Sequence, residues 1–128
     1  MRALILGLLL VIGGCSSQTA GIAVRSDTTE VRVDSYAVAD DITLAEVKQR
    51  NVGGMLQGSA LIISTTSTDR YWQYKFTFFD VEGFPIEVDS SNWVPLNLHG
   101  GEQRALQATA NNAGAISFEL VVRPATDE

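Results

Sequence analysis

The chain has 128 residues, enough for one ordinary domain, and its 15 Asp and Glu outnumber its 9 Lys and Arg. The net charge of −6 argues against nucleic acid as a partner, because the phosphates of a nucleic acid require a basic patch. The single cysteine excludes an intramolecular disulfide framework and any metal site built from several cysteines.

The first fourteen residues have the three parts of a secretory signal. Arg2 supplies a positive charge, residues 3–12 are apolar, and Gly13 and Gly14 are small enough for a peptidase to accept before a cut. Ten to twelve apolar residues in a helix reach about 15–18 Å, which is short of the bilayer core of about 30 Å. The pattern therefore predicts a cleaved signal peptide over residues 1–14 and not a permanent transmembrane helix.

Residues 12–15, Ile-Gly-Gly-Cys, resemble a bacterial lipobox, in which an aliphatic residue and two small residues precede a cysteine. The resemblance implies cleavage before Cys15, diacylglycerol on its sulfur and an acyl chain on the new amino group. Several acyl chains anchor a protein stably, whereas one holds it marginally. Ser16 implies transport to the outer membrane, because lipoproteins kept in the inner membrane often carry Asp there. The alternative is an ordinary signal peptide followed by an incidental cysteine.

Residues 16–29 are small and polar, which predicts a lipidated tether over residues 15–29 ahead of a domain over residues 30–128. Fully extended, such a tether spans at most about 45–50 Å. From residue 30 onward the apolar side chains recur at every second position, and the alternation over residues 31–36 predicts a first strand.

The clearest predicted strand covers residues 71–81. A strand buries its large aromatic side chains on one face, whereas a helix would spread them around its surface. Residues 116–122 alternate in the same way, and turn signals rich in Gly or Asn lie at residues 80–83, 99–102 and 111–114. These features predict an all-β protein, an immunoglobulin-like antiparallel β-sandwich of about seven strands. The aromatic residues of the shared face are Trp72, Tyr74, Phe76 and Phe78.

Residues 43–51 allow two interpretations, a single helical turn or an irregular edge strand, and we favour the edge strand. Lys48 and Arg50 would then discourage pairing with the edge of another sheet.

The two tryptophans invite a hypothesis of glycan stacking. Trp72 lies on the aromatic face of the predicted strand and is expected in the core. Trp93 follows a predicted loop over residues 89–92 and is the better candidate for a partly exposed contact. Packing in the core or at its rim is nevertheless the more common role of a tryptophan.

His99 is the only histidine and stands beside Gly100 and Gly101 in a predicted turn. A catalytic triad needs a nucleophile and an orienting carboxylate next to the histidine, and no serine of the chain lies in a G-x-S-x-G elbow. The sequence therefore favours a solvated loop residue over a catalytic base. With Trp93, His99 remains a candidate for an interaction site.

Four acidic residues are close in sequence around a predicted hairpin. Paired carboxylates could serve a glycosidase or bind Ca²⁺, but the spacing of a calcium loop is not met, and a hairpin with solvated acids explains them. We expect no metal and no other cofactor. An enzyme would need at least two of a small set of side chains to converge in one pocket. The acids are Asp80, Glu82, Glu87 and Asp89, and the converging set would come from His99, Asp80, Glu82 and Asp89.

Four segments of the mature chain carry a family resemblance. They are YKFTFFDVEGF at residues 74–84, WVPL at 93–96, GE at 101–102 and FELVVR at 118–123. In this order the chain from about residue 30 to 124 resembles the YcfL-like family of small bacterial outer-membrane lipoproteins. The resemblance implies no catalytic residues, since none are established in the family, and a part in cell-wall synthesis or envelope assembly.

The sequence thus predicts a non-enzymatic accessory protein of the cell envelope, with a link to peptidoglycan synthesis. Lipid on Cys15 would hold it at the periplasmic face of the outer membrane, and loops or a sheet edge would contact an envelope protein. The alternative function is a small-ligand or glycan-binding β-sandwich module that uses Trp93.

Overall fold

A computed structural model of the chain describes residues 21–87 and 92–125. Within these ranges the backbone is nearly all β, and its antiparallel sheets form the expected sandwich. The described residues form nine strands where about seven were expected, because residues 22–25 do not alternate and the strand at residues 85–86 is too short to show a period of two. The elements are β1 (Ile22–Arg25), β2 (Val31–Val33), α1 (Tyr36–Asp41), β3 (Ile42–Val52), β4 (Met55–Ser64), β5 (Arg70–Phe79), β6 (Pro85–Ile86), β7 (Val94–Leu98), β8 (Gln103–Thr109) and β9 (Ser117–Pro124).

Six strands form a large sheet and three form a small one. In the large sheet the order is β2-β1-β9-β5, and the outer side of β5 pairs with β7 over residues 70–74 and with β6 at Phe78 and Phe79. In the small sheet the order is β3-β4-β8. Every pairing is antiparallel.

The core lies between the two sheets and is centred on β9. Phe118 and Leu120 of β9 are fully buried, as is Ile62 of β4 in the opposite sheet. The ring centroid of Phe76 lies 5.3 Å from that of Phe118, a favourable distance for two aromatic rings. The predicted aromatic face of residues 71–81 is confirmed, because three of its rings are buried and the fourth, Tyr74, is half-buried against the core.

The structure corrects the predicted tether, because residues 22–25 form strand β1. Ile22, Ala23 and Val24 are each only 1% exposed, and β1 pairs with β2 on one side and β9 on the other. Three consecutive buried residues show no alternation, and their burial depends on a strand at the opposite end of the chain. The folded domain therefore includes residues from Gly21 onward, and the sequence between Cys15 and this point has only five residues.

The structure also corrects the end of the first predicted strand. β2 ends at Val33, and α1 begins at Tyr36 with Ser35 as its N-cap, whose Oγ accepts a hydrogen bond from the Val38 N–H at 3.3 Å. Serine is a preferred N-cap because its oxygen satisfies an N–H that has no partner within the helix. None of the helical structure in the described residues is long and apolar enough to cross a membrane.

The edge strand predicted at residues 43–51 is confirmed. β3 lies at the edge of the small sheet, and its register with β4 shifts between Ala45 and Lys48, where Glu46 has a φ of 52°. Lys48 and Arg50 are hence on an exposed edge, as expected.

Candidate functional site

The folded domain begins at one end of the sandwich, here called the entry end. Cys15 itself lies outside the described residues. The carbonyl of Gly21 accepts hydrogen bonds from the N–H groups of Asp34 and Ser35, at 2.9 and 3.0 Å, just before α1. The Ala125 N–H donates to the Tyr71 carbonyl at the same end, so both ends of the described chain lie close together.

The opposite end, here called the far end, carries the turns after β3 and β5 and the chain segment before β9. Counted along β5 from the level of Gly21 to Phe79, the two ends are about 20 Å apart. Four large apolar side chains, here called the far-end cluster, are exposed there, with fractions from 45% to 78%. They are Val52, Val81, Phe84 and Ile116.

Two members of the far-end cluster come from neighbouring chain segments. The Asp80 N–H donates to the Phe84 carbonyl at 3.0 Å, and the Ile116 N–H donates to the Phe79 carbonyl at 2.8 Å. These two hydrogen bonds hold the segments that carry Phe84 and Ile116 at the end of β5. Several exposed apolar residues at one end of a domain are more informative than a single one, because large exposed apolar areas on a soluble protein commonly mark a contact site.

Asp80 organises the far-end turn through one of its two carboxylate oxygens. Its Oδ1 accepts hydrogen bonds from the N–H groups of Glu82 and Phe84, both at 3.0 Å, and Gly83 adopts a φ of 87°. An aspartate at the start of a turn commonly satisfies backbone N–H groups in this way. Asp89, the last of the four acids, lies outside the described residues.

His99 lies in an exposed turn at the entry end. Its Nδ1 is 3.2 Å from Oδ2 of Asp69, and both side chains are more than half exposed. Its backbone N–H donates to Oε1 of Glu102 at 2.8 Å, and Arg104 donates to Oε2 of the same carboxylate. The hydrogen bond from His99 and the guanidinium of Arg104 lower the pKa of Glu102.

The histidine and the far-end acids do not share a site. Residue 98 pairs with residue 70 at the beginning of β5, whereas Asp80 follows the last residue of this ten-residue strand. His99 and Asp80 are therefore separated by the length of β5. Across residues 21–87 and 92–125, no group of three His, Cys, Asp or Glu side chains is placed to hold a metal ion.

Trp93 has the most organised surroundings of the predicted interaction residues. It is half-buried, and it precedes Val94, which pairs with Tyr74. The guanidinium carbon of Arg123 lies 3.7 Å from the centroid of its ring, and Nζ of Lys75 lies 4.8 Å from it. We call these three residues the cationic stack. Each such contact contributes about 0.5–1 kcal/mol at an exposed position.

Gln73 fixes the orientation of the arginine in the stack. Its Oε1 accepts a hydrogen bond from Nε of Arg123 at 3.0 Å, and the two residues are direct partners in the pairing of β5 with β9. The strand pairing, the amide and the indole thus all constrain the guanidinium.

The cationic stack belongs to a face with an uneven distribution of charge. The outer face of the large sheet carries half of the eight described Lys and Arg residues. On its β1 and β2 side the cations are paired: Arg32 lies 2.9 Å from Glu119, and Arg25 lies 3.1 Å from Asp27. The hydrogen bond between Arg25 and Asp27 raises the pKa of the arginine and lowers the pKa of the aspartate.

On the β5 and β7 side, no such partner of the cations is found among the described residues. Counting only the residues that the structure describes, no carboxylate oxygen lies within 4.0 Å of a side-chain nitrogen of Lys75 or Arg123. On a chain with a net charge of −6, this half of the face is a local excess of positive charge.

A cleft opens between the two sheets beside β7 and β8. Its volume is about 260 Å³, and its lining includes Tyr74, Phe76 and Val94 from the large sheet and Gln107 and Ala108 from the small one. Typical small-molecule sites measure about 300–1,000 Å³, so this cleft suits a single side chain better than a whole ligand.

Sequence reasoning found Trp93 but not its cationic partners, and it did not find the far-end cluster. Lys75 and Arg123 do occupy the polar positions of two strongly alternating segments. That signal marks them as outward-facing, but only the pairing of β5 with β9 places both beside one indole.

The chain is similar to one protein family and to two solved structures. The model of the family described as "Protein of unknown function (DUF1425)" matches residues 29–124. The crystal structure of a DUF1425 family member from Shewanella sp. pv-4 superimposes with a TM-score of 0.64 at 33% identity, covering 91% of this chain and 100% of that one. Campylobacter jejuni cj0090 has a similar fold, with a TM-score of 0.54, 21% identity and coverage of 62% and 83%. No curated protein matches.

Proposed function

The chain belongs to the DUF1425 family, and from this premise we propose that it is a lipoprotein of the YcfL-like kind at the periplasmic face of the outer membrane. Its function is that of a non-enzymatic accessory protein, which contacts another protein of the cell envelope and has a link to peptidoglycan synthesis. Lipid on Cys15 supplies the membrane anchor in this proposal.

The observation that carries this proposal is the position of the far-end cluster relative to Gly21. With lipid on Cys15, the five intervening residues reach about 20 Å at most. The entry end then stays within about 20 Å of the bilayer, and the far end, at the other end of the sandwich, can extend away from it. Exposed apolar side chains at that end favour contact with a protein, since burying a side chain such as Phe84 contributes about 1–2 kcal/mol.

Site-specific photo-crosslinking in intact cells tests this function. A photoreactive phenylalanine analogue replaces Phe84 at the far end or, as the matched control, Tyr71 at the entry end. The two side chains are comparably exposed, at 63% and 67%. We expect a discrete product with an envelope protein from position 84 and none of the same mass from position 71. Identical products from both positions, or no product from position 84, would contradict the proposal.

A second candidate function is a small-ligand or glycan-binding module, and the half-buried indole of Trp93 favours it. Addition of peptidoglycan fragments at millimolar concentration is expected to shift the indole N–H signal of Trp93 in a ¹H–¹⁵N spectrum. Trp72 is only 4% exposed and serves as the internal control. Equal shifts of both signals, or none, would count against this function.

A further inference from the structure

The cationic stack brings two positive charges to one aromatic ring without a described carboxylate to balance them. Arg123 and Lys75 both lie within 5 Å of the Trp93 ring centroid, at 3.7 and 4.8 Å. Like charges on neighbouring strands repel each other, and an anion placed between them would remove that repulsion. The arginines of β1 and β2 on the same face already have carboxylate partners, so the imbalance is confined to this half of the face.

We propose that the cationic stack is a binding site for a soluble carboxylate ligand, a sugar acid, with the carboxylate held between Arg123 and Lys75. The inference rests on the second candidate function and names the class of ligand that this function would use.

The geometry of Arg123 suits a carboxylate. Nε of Arg123 donates to Gln73 at 3.0 Å. Within the described part of the chain, the two terminal nitrogens of Arg123 make no hydrogen bond. A guanidinium offers its N–H groups in a planar fork that matches the two oxygens of a carboxylate. Because Gln73 and the indole already hold the guanidinium plane, the site loses little side-chain entropy when the ligand binds.

The same geometry disfavours a neutral sugar. Stacking of a neutral pyranose needs an open aromatic face, and the guanidinium of Arg123 already covers one face of the Trp93 ring at 3.7 Å. A negative charge on the ligand would therefore contribute most of the binding free energy at this site. Lys75 adds a second cation at 4.8 Å from the ring and completes the site on the other strand.

A bilayer surface fits this face less well than a small soluble ligand. The outer face of the large sheet runs along the strands between the entry end and the far end, and it also presents the acidic groups of Asp27, Asp34 and Glu119. A broad anionic surface would meet those acids together with the cations, whereas one carboxylate can contact Arg123 and Lys75 alone.

The test compares two sugars that differ in one carboxylate. The mature lipidated chain, purified in detergent, is titrated with N-acetylmuramate or with neutral N-acetylglucosamine while the two indole N–H signals are followed. We expect N-acetylmuramate to shift the signal of Trp93 at millimolar concentration and to leave Trp72 unchanged, and we expect no shift with N-acetylglucosamine. Higher salt should weaken the effect because it screens exposed charges.

Charge-removing variants locate the site. Arg123→Gln and Lys75→Gln are each expected to weaken binding about tenfold. Arg50→Gln is the matched control, because Arg50 also donates its Nε to a glutamine, Gln57 at 2.7 Å, but it lies on the small sheet. The affinity of the Arg50→Gln variant for N-acetylmuramate should stay within about twofold of that of the parent chain. If Arg123→Gln does not fold, Lys75→Gln decides the matter alone.

Several results would overturn this inference. They are equal shifts of Trp93 with both sugars, no shift with N-acetylmuramate, or the same loss of affinity in Arg50→Gln as in the stack variants. Larger shifts with phosphatidylglycerol vesicles or inorganic phosphate than with N-acetylmuramate would also overturn it, since they would identify a phosphate site. If peptidoglycan fragments shift Trp93 while N-acetylmuramate does not, the second candidate function survives and only the ligand class fails.

Discussion

Gly58 of β4 lies directly against the aromatic ring of Phe118 of β9, so the two sheets meet where one of them has no side chain. A Cβ atom placed on Gly58 would lie 2.6 Å from two carbons of that ring. Phe118 is fully buried and also contacts the rings of Phe76 and Phe78. The ring is therefore packed against neighbouring rings as well as against Gly58.

We predict that Gly58→Ala destabilises the domain by about 1–3 kcal/mol, because the added methyl group overpacks the core against Phe118. The free energy of unfolding in urea measures this. Ser59→Ala, at the next position of the same strand, is the control and should change it by no more than about 0.5 kcal/mol. Equal effects of the two variants would show that the contact with Phe118 does not limit the residue at position 58.

Gly21 provides a test of whether β1 belongs to the folded domain. A Cβ atom there would overlap the carbonyl oxygen of Val122, which is backbone and cannot move aside. We therefore expect Gly21→Ala to destabilise the domain by about 3 kcal/mol. Gly53→Ala is a useful comparison, because the φ of 60° at Gly53 is strained for alanine but a Cβ atom there would meet no atom within 4 Å apart from its chain neighbours. We expect this variant to lose about 1 kcal/mol of the free energy of unfolding. A Gly21→Ala domain as stable as the parent would mean that this segment is only a tether.

The proposed anchor makes a prediction about Cys15. In the parent chain we expect an N-terminal mass that includes acyl groups on Cys15, and retention of the protein in the membrane fraction after an alkaline wash. Cys15→Ser, exported behind a cleavable secretory signal, should be a folded domain in the soluble fraction. Ser16→Ala is the control and should keep the acyl mass. Full retention of Cys15→Ser after the wash would refute the lipid anchor.

Glu102 should make the stability of the domain depend on pH on the acid side. Hydrogen bonds from His99 and Arg104 lower its pKa in the folded state below the ordinary value of 4.5. Its stabilising contribution is thus fully present above this value and is lost as the pH falls through the lower pKa of the folded state.

The corresponding measurement is the urea midpoint of the parent chain and of Glu102→Gln as a function of pH. At neutral pH the parent chain should have a higher urea midpoint than Glu102→Gln. The difference between the two midpoints should shrink as the pH falls below the ordinary glutamate pKa. Gln103→Ala, at the exposed neighbouring position, should show a difference that does not vary with pH. A constant difference for Glu102→Gln would contradict the proposed origin of its pKa shift.

Much of the fold could be predicted because alternation is a local property of the chain. The aromatic residues from Trp72 to Phe78 identify β5 and its buried face, and the charged residues Lys48 and Arg50 suit the exposed edge strand β3. Segments without alternation were missed. β1 begins with three consecutive apolar residues, and α1 is a single short helix that depends on the cap at Ser35.

The candidate site, like the fold, could be predicted only as far as local sequence patterns reach. The sequence by itself determined that Lys75 and Arg123 occupy polar positions of alternating segments and that Cys15 follows an apolar leader. It also predicted a loop over residues 89–92 ahead of Trp93, and residues 89–91 lie outside the described part of the chain. Only the tertiary structure decided that Arg123 lies over the Trp93 ring and that the far-end cluster lies opposite Gly21. The reason is physical: covalent geometry sets the direction of each side chain along a strand, whereas the order of strands follows from burying both sheets against each other.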